Sequence, residues 1–208
     1  MRRFNYFLSV LLFPVFFVGL SIDADRVLAE TSRIAQLEKS VQLAFSIIEN
    51  EELSLPENAD LRRDKLREAL YGNFDFVEMS KKSVGRKWSK FSPAQQERFV
   101  TLFKQLLELK FLGLIERLKG GSVVFTNEIQ KSKNIVRIES IITSKGQKYD
   151  VAYMMKKSGD KWMVYNISGE GFSVISNYRA QFRQLLQKRN PDIEGMLSKL
   201  EEKISSLD

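Results

Sequence analysis

The 208-residue chain contains no cysteine and no histidine, and each absence closes a class of chemistry. Without cysteine there is no disulfide, no thiolate nucleophile and no lipid-attachment site of the lipoprotein kind. Without histidine, Ser-His-Asp and Cys-His nucleophilic arrangements cannot form, and neither can His-ligated zinc or iron centres. Proton transfer by carboxylates or tyrosines stays open, yet no isolated carboxylate pair stands out. Internal repeats, a Pro/Gly-rich linker and low-complexity tracts are also missing, so the length fits one domain with a substantial core. No block of like charge occurs either. The 33 basic and 26 acidic residues leave a net charge of +7 that is spread along the chain. With no basic stripe carrying interleaved aromatics, a solvated surface is favoured over a nucleic-acid site; a weak pull toward anionic lipid or an acidic partner also fits.

Long apolar runs are confined to the start. Arg2 and Arg3 precede an apolar stretch over residues 4–20, and Val27 and Leu28 lead to Ala29. This is the layout of a secretory signal peptide, with cleavage expected after Ala29 and Ala24 as second choice. A membrane anchor competes, but residues 7–20 fall short of the roughly 20 apolar residues a spanning helix needs, and Pro14 interrupts them. The functional domain is then expected at 30–208. Removing Arg2, Arg3 and Arg26 together with Asp23 and Asp25 leaves 30 basic and 24 acidic residues, a net charge of +6.

Helical spacing dominates up to about residue 119, strand spacing holds over 122–167, and helical spacing returns after 172. That order points to an α+β domain with segregated layers. A first helix over 31–50 repeats Ile34, Leu37, Val41, Phe45 and Ile48 on one face. Further helices are expected over 60–71 and 74–84. Ser92-Pro93-Ala94-Gln95 joins a capping residue, a first-turn proline and a capping-box glutamine, and opens a long helix reaching about 118. Its apolar residues occupy an arc of roughly 240°, against about 100° on an ordinary surface helix. Such a helix is covered on more than one side, either by core alone or by core on one flank and a greasy cavity on another. Four strands over 123–129, 135–143, 148–156 and 161–167, joined by short polar turns, predict an antiparallel meander. On the last, Trp162 and Val164 share one face while Met163, Tyr165 and Ile167 share the other. Gly169 and Gly171 then form a turn into a helix capped by Ser173, with Ile175, Tyr178, Phe182, Leu185 and Leu186 on its apolar face. A final amphipathic helix over 192–207 is expected to dock peripherally.

Two segments carry a family pattern. Over 74–107 stand Phe74-Asp75, Met79, Val84-Gly85 followed by Trp88, and Ser92-Pro93-Ala94-Gln95. Over 161–182 stand Trp162, Val164-Tyr165, Glu170-Gly171, Ser173, and Asn177-Tyr178-Arg179 followed by Phe182. Together they resemble the MlaC family of periplasmic phospholipid-binding proteins, and with the intervening strands the similarity covers nearly all of 30–208. The resemblance implies an NTF2-like α+β fold, in which a curved antiparallel four-stranded sheet and the N- and C-terminal helices surround a hydrophobic pocket for phospholipid acyl chains. It further implies a monomeric periplasmic lipid carrier with no enzymatic activity, no cofactor and no metal. Its implied partners are phospholipid, an outer-membrane lipoprotein complex and an inner-membrane ABC transporter complex carrying an MCE-domain ring. The chain departs from the family pattern at Gly169, Phe172, Phe111 and Asn166, where a bulky aliphatic residue, Val, Tyr and Asp are usual. Exchanging bulk between Gly169 and Phe172 is expected to reshape the pocket mouth.

The expected lining comprises Phe99, Phe103, Leu106, Val151, Tyr153, Met155, Val164 and, foremost, Phe172. Ordinary core packing serves each of them equally well when taken singly. Trp88, Tyr178 and Phe182 read as structural, and Arg179 as an ion-pair partner of Glu170 or a neighbour of a phosphate. Three rivals remain: a carrier of hopanoids or other polycyclic lipids, an NTF2-like small-molecule enzyme using Asp75, Asp150 and Tyr153, and an adaptor without a ligand.

Overall fold

The computed structural model describes residues 24–207, with side chains from Arg33 onward. Residues 1–23 of the expected signal peptide lie outside the described residues. Helices α1 (Ala24–Glu49), α2 (Ala59–Tyr71), α3 (Phe76–Val84) and α4 (Pro93–Glu116) come first. A sheet follows, of β1 (Ser122–Ser132), β2 (Ile135–Ser144), β3 (Gln147–Ser158), β4 (Lys161–Gly169) and β5 (Phe172–Ser173), and then α5 (Val174–Leu185) and α6 (Ile193–Ser205). The strands form an antiparallel meander in chain order. Four of the strands are those expected. The fifth arises because Glu170 (φ 51°) and Gly171 (φ 75°) make a turn tight enough for Gly169 to pair with Phe172.

The capping signals act where they stand. Ser92 Oγ accepts from the Gln95 N–H, and the Gln95 side chain accepts from the Ser92 N–H, starting α4. Asp75 caps α3 through the Glu78 N–H, and Ser173 caps α5 through the Ser176 N–H. Asn166, at the end of β4, adds a second acceptor for α5: its Oδ1 takes the Ile175 N–H at 3.1 Å and the Ser173 hydroxyl at 3.2 Å.

The N-terminal half of α4 is enclosed. Phe99 and Phe103 stack at 5.5 Å, meet Phe182 edge-on at 5.2 and 5.7 Å, and Phe103 meets Tyr178 at 5.1 Å. Trp88 closes the cluster against Phe99 at 6.0 Å. The last helix is not peripheral. Met196, Leu197, Leu200 and Ile204 of α6 enter this same core, and Arg98 of α4 binds Glu194 and Glu201 across the seam. α6 covers the flank of α4 that α5 leaves open.

Alternation along β4 is broken once. Val164 pairs with Met155 and Asn166 with Met154, so Tyr165 is an extra residue in the strand. Ile167 is thereby turned to the face of Trp162 and Val164, where it pairs with Tyr153, and not to the face of Met163 as simple alternation predicts. The backbone of Val164 is engaged from outside the sheet at this bulge. Its N–H donates to Asn73 O at 2.7 Å and its C=O accepts from Asp75 N–H at 2.9 Å. Gln36 of α1 in turn donates to Asn73 Oδ1 and to Trp162 O. One short link thus joins α1, α3 and β4 and sets Phe74 beneath the sheet.

Asn166→Ala is expected to destabilise the protein by about 1 kcal/mol, the usual value of a lost helix cap. Asn166→Asp should be neutral or stabilising, because a carboxylate favours a helix N-terminus. Urea denaturation midpoints check both, and an unchanged midpoint for Asn166→Ala would refute the capping role.

Candidate functional site

A cavity of about 900 Å³ lies between α1, the C-terminal half of α4 and one face of the sheet. Its size is within the range of small-molecule and lipid sites, roughly 300–1,000 Å³. α1 supplies Leu37, Val41, Ala44 and Phe45, which the helical repeat places in one column. α4 supplies Leu107, Phe111, Leu114 and Ile115 from the opposite wall. Ile142, Val151, Tyr153 and Ile167 form the sheet side, and Tyr71 and Phe74 close the base of the α2–α3 link. Exposed apolar groups mark the opening: Leu114 is 54% and Phe172 52% accessible. Around them stand Lys110, Arg117, Lys145 and Lys203 with Asp150 and Glu170, a rim richer in positive charge.

The cavity wall contains few polar atoms, and burial governs them. Tyr71 Oη is shut off from solvent without a hydrogen-bond partner. Burial pushes its phenol far above the ordinary value, Glu108 adds to the rise, and Arg67 opposes it. Glu108 itself is buried and held by Arg67, whose Nε donates at 2.5 Å. Burial likewise raises Tyr153, against the effect of the Ser140 hydroxyl, and raises Tyr178. A second, polar groove of about 740 Å³ runs on the other face of the sheet, where Arg137 pairs with Glu139 at 2.7 Å. The two hollows meet at Gly169 and Phe172.

Of the eight residues expected to line a pocket, Val151, Tyr153 and Phe172 stand in the cavity wall or mouth. Phe99, Phe103 and Leu106 are fully buried in the core shared with α5 and α6, and Met155 and Val164 are fully buried between the sheet and α1. None of these five is among the residues lining the hollow. The reason is the extra cover from α6, which fills the flank of α4 around Phe99 and leaves the later turns facing the cavity. The lining missed on α1 was marked in the sequence by the column Leu37, Val41, Phe45. Trp88, Tyr178 and Phe182 are structural, although Tyr178 also reaches the cavity. Arg179 does not pair with Glu170: its Nε donates to Lys82 O at 2.7 Å, whereas Glu170 accepts from the Asp150 N–H at 3.3 Å.

The arrangement can shelter a long apolar molecule. Asp75 is engaged in capping α3 and lies outside the cavity, apart from Asp150 and Tyr153. Among the described residues no group of three or more Asp and Glu is placed to hold a metal ion, and no helix is long and apolar enough to cross a membrane. A phenol whose pKa is raised by folding leaves stability intact below about pH 10 and costs stability as pH rises above it. Tyr71, Tyr153 and Tyr178 are therefore expected to ionise late, in a rise of absorbance at 295 nm that coincides with loss of circular dichroism. Ionisation of these three at pH 10 in a folded protein would contradict their burial.

A family model described as MlaC protein matches residues 38–202. The chain is 23% identical over 185 residues to the intermembrane phospholipid transport system binding protein MlaC of Haemophilus influenzae, covering 86% of this chain and 85% of that protein. It is 28% identical over 134 residues to the toluene tolerance protein ttg2D of Pseudomonas putida, covering 63% and 62% respectively. Its fold is similar to the solved structure of a phospholipid-binding protein from Ralstonia solanacearum in complex with a phospholipid, with a TM-score of 0.72 at 22% identity. That match covers 83% of this chain and 97% of the other. The family match extends from α1 into α6 and spans both cavity walls, and on this ground the chain belongs to the MlaC family.

Proposed function

We propose that this protein is a periplasmic phospholipid carrier, exported by a cleavable signal peptide over residues 1–29 and active as the monomeric domain 30–208. The observation that carries this reading is the apolar cavity of about 900 Å³ with a charged rim. Acyl chains occupy the space between α1, α4 and the sheet, touching Val151 and Tyr153, and leave past Phe172 and Leu114 with the headgroup at the rim. Phe99, Phe103, Leu106, Met155 and Val164 form the packed layer that keeps these walls in place. The names of the Haemophilus and Pseudomonas relatives and the ligand of the Ralstonia protein support the same class of cargo.

Carriage is needed for energetic reasons. Two acyl chains of about 15 methylenes each lose roughly 25 kcal/mol on exposure to water, at about 0.8 kcal/mol per methylene. A cavity as apolar as the bilayer makes loading and release nearly balanced, so the affinities of docking partners set the direction. On this reading the protein moves phospholipid between an outer-membrane lipoprotein complex and an inner-membrane ABC transporter complex, with no bond made or broken.

Native mass spectrometry of the purified protein is expected to show a bound two-chain phospholipid. Val151→Glu places a carboxylate in the cavity wall, and an unpaired charge there excludes hydrocarbon. Lipid occupancy should fall at least tenfold in this variant, with the circular dichroism spectrum retained. A wild-type protein carrying a polycyclic lipid or none, or a folded Val151→Glu variant with full occupancy, would contradict the proposal.

A further inference from the structure

Ser144, the last residue of β2, is 5% exposed, lines the cavity, and its Oγ has no hydrogen-bond partner within the protein. Native structures rarely carry a buried hydroxyl in that condition, because it loses its water without compensation. Its position is set by the β2–β3 register: Ser144 pairs with Gln147 across the two-residue turn of Lys145 and Gly146. Both turn residues have positive φ, 51° and 76°. Asn, Asp or Gly is the usual first residue of such a turn, and lysine is an uncommon choice. The turn presents the exposed Lys145 beside the buried hydroxyl.

Arg117 stands at the end of α4, next to Leu118. Beyond it the chain turns at Gly121, where an added Cβ would lie 2.6 Å from Thr143 O and 2.7 Å from Leu118 O. Only glycine allows the α4–β1 turn to approach the end of β2 this closely. Arg117, Ser144 and Lys145 all line the cavity. The ion pairs found among the described residues engage neither Arg117 nor Lys145. The rim carboxylates, Asp150 and Glu170, belong to β3 and the β4–β5 turn.

We infer that Ser144, Arg117 and Lys145 form a subsite for a phosphate-ester anion. Resting on the reading of the cavity as an acyl-chain pocket, this anion is the phosphodiester of the bound lipid. The Ser144 hydroxyl donates to one phosphate oxygen, the Arg117 guanidinium donates in a fork to two, and Lys145 adds a point charge from the open side.

The test compares lipids with identical tails. Lipid-stripped protein is titrated with dioleoylphosphatidylglycerol, with dioleoylglycerol, and with inorganic phosphate alone. Wild type is expected to hold the phospholipid about tenfold more tightly than the diacylglycerol, as charge-assisted hydrogen bonds do. Ser144→Ala and the double variant Arg117→Gln/Lys145→Gln should each lose most of that preference while binding diacylglycerol as before. The lipid-stripped Ser144→Ala protein should melt no lower than wild type, because its hydroxyl gives up no protein partner. Equal affinity of wild type for the two lipids with no binding of inorganic phosphate, or a preference surviving in both variants, overturns the subsite and leaves the acyl-chain pocket standing. Binding of neither lipid overturns both. Inorganic phosphate that binds wild type but not the variants, without any lipid preference, supports the anion site and overturns its assignment to lipid.

Discussion

The excess apolar girth of α4 is the constraint from which the rest of the architecture follows. A helix greasy over well more than half its circumference cannot be satisfied by a single partner. Its first half is satisfied completely, by the rings of Trp88, Tyr178 and Phe182 and by Leu197 and Leu200 of α6. Its second half is not. Phe111, Leu114 and Ile115 face a hollow whose far wall is Leu37, Val41 and Phe45 of α1, and Leu114 remains open to solvent. An apolar surface of this kind, built and left uncovered, is unusual in a monomeric protein and marks a place where another apolar body sits.

Keeping the two walls apart requires a frame that does not collapse inward. The bulge at Tyr165 turns Ile167 to the inner face and brings the Val164 backbone into pairing with Asn73 and Asp75. Asn73 is then tied to Gln36 and Ser40 of α1. Deep in the same layer, Arg33 forms a buried ion pair with Glu128 and lies over the Trp162 ring at 4.8 Å, holding α1 to β1. The polar ties gather along the Arg33–Ser40 stretch of α1, and apolar side chains of its later turns line the hollow.

Much of this was legible in the sequence, unevenly. Capping residues such as Ser92, Gln95 and Ser173 act locally, and the helices they open stand where the spacing puts them. The girth of α4 was equally plain. Which of its halves borders the cavity was not, because that depends on the docking of α6, nearly a hundred residues later in the chain. Phe99, Phe103 and Leu106 looked as suitable for a lining as Phe111 and Ile115. Ile167 was turned by a one-residue bulge that no alternation pattern announces. The rim was the least legible part, since the end of α4 that carries Arg117 approaches the end of β2 only through the close contact at Gly121.

The central claim is spatial: hydrocarbon occupies the hollow between α1 and the later turns of α4, and no other part of the core. Paramagnetic broadening by a phospholipid with a nitroxide midway along one acyl chain measures this directly in methyl-labelled protein. The methyls of Val41, Ile115, Ile142 and Val151 should lose intensity strongly, and those of Leu197 and Leu200 between α4 and α6 should keep theirs. Equal broadening of both sets, or broadening of the α6 methyls alone, would contradict the account.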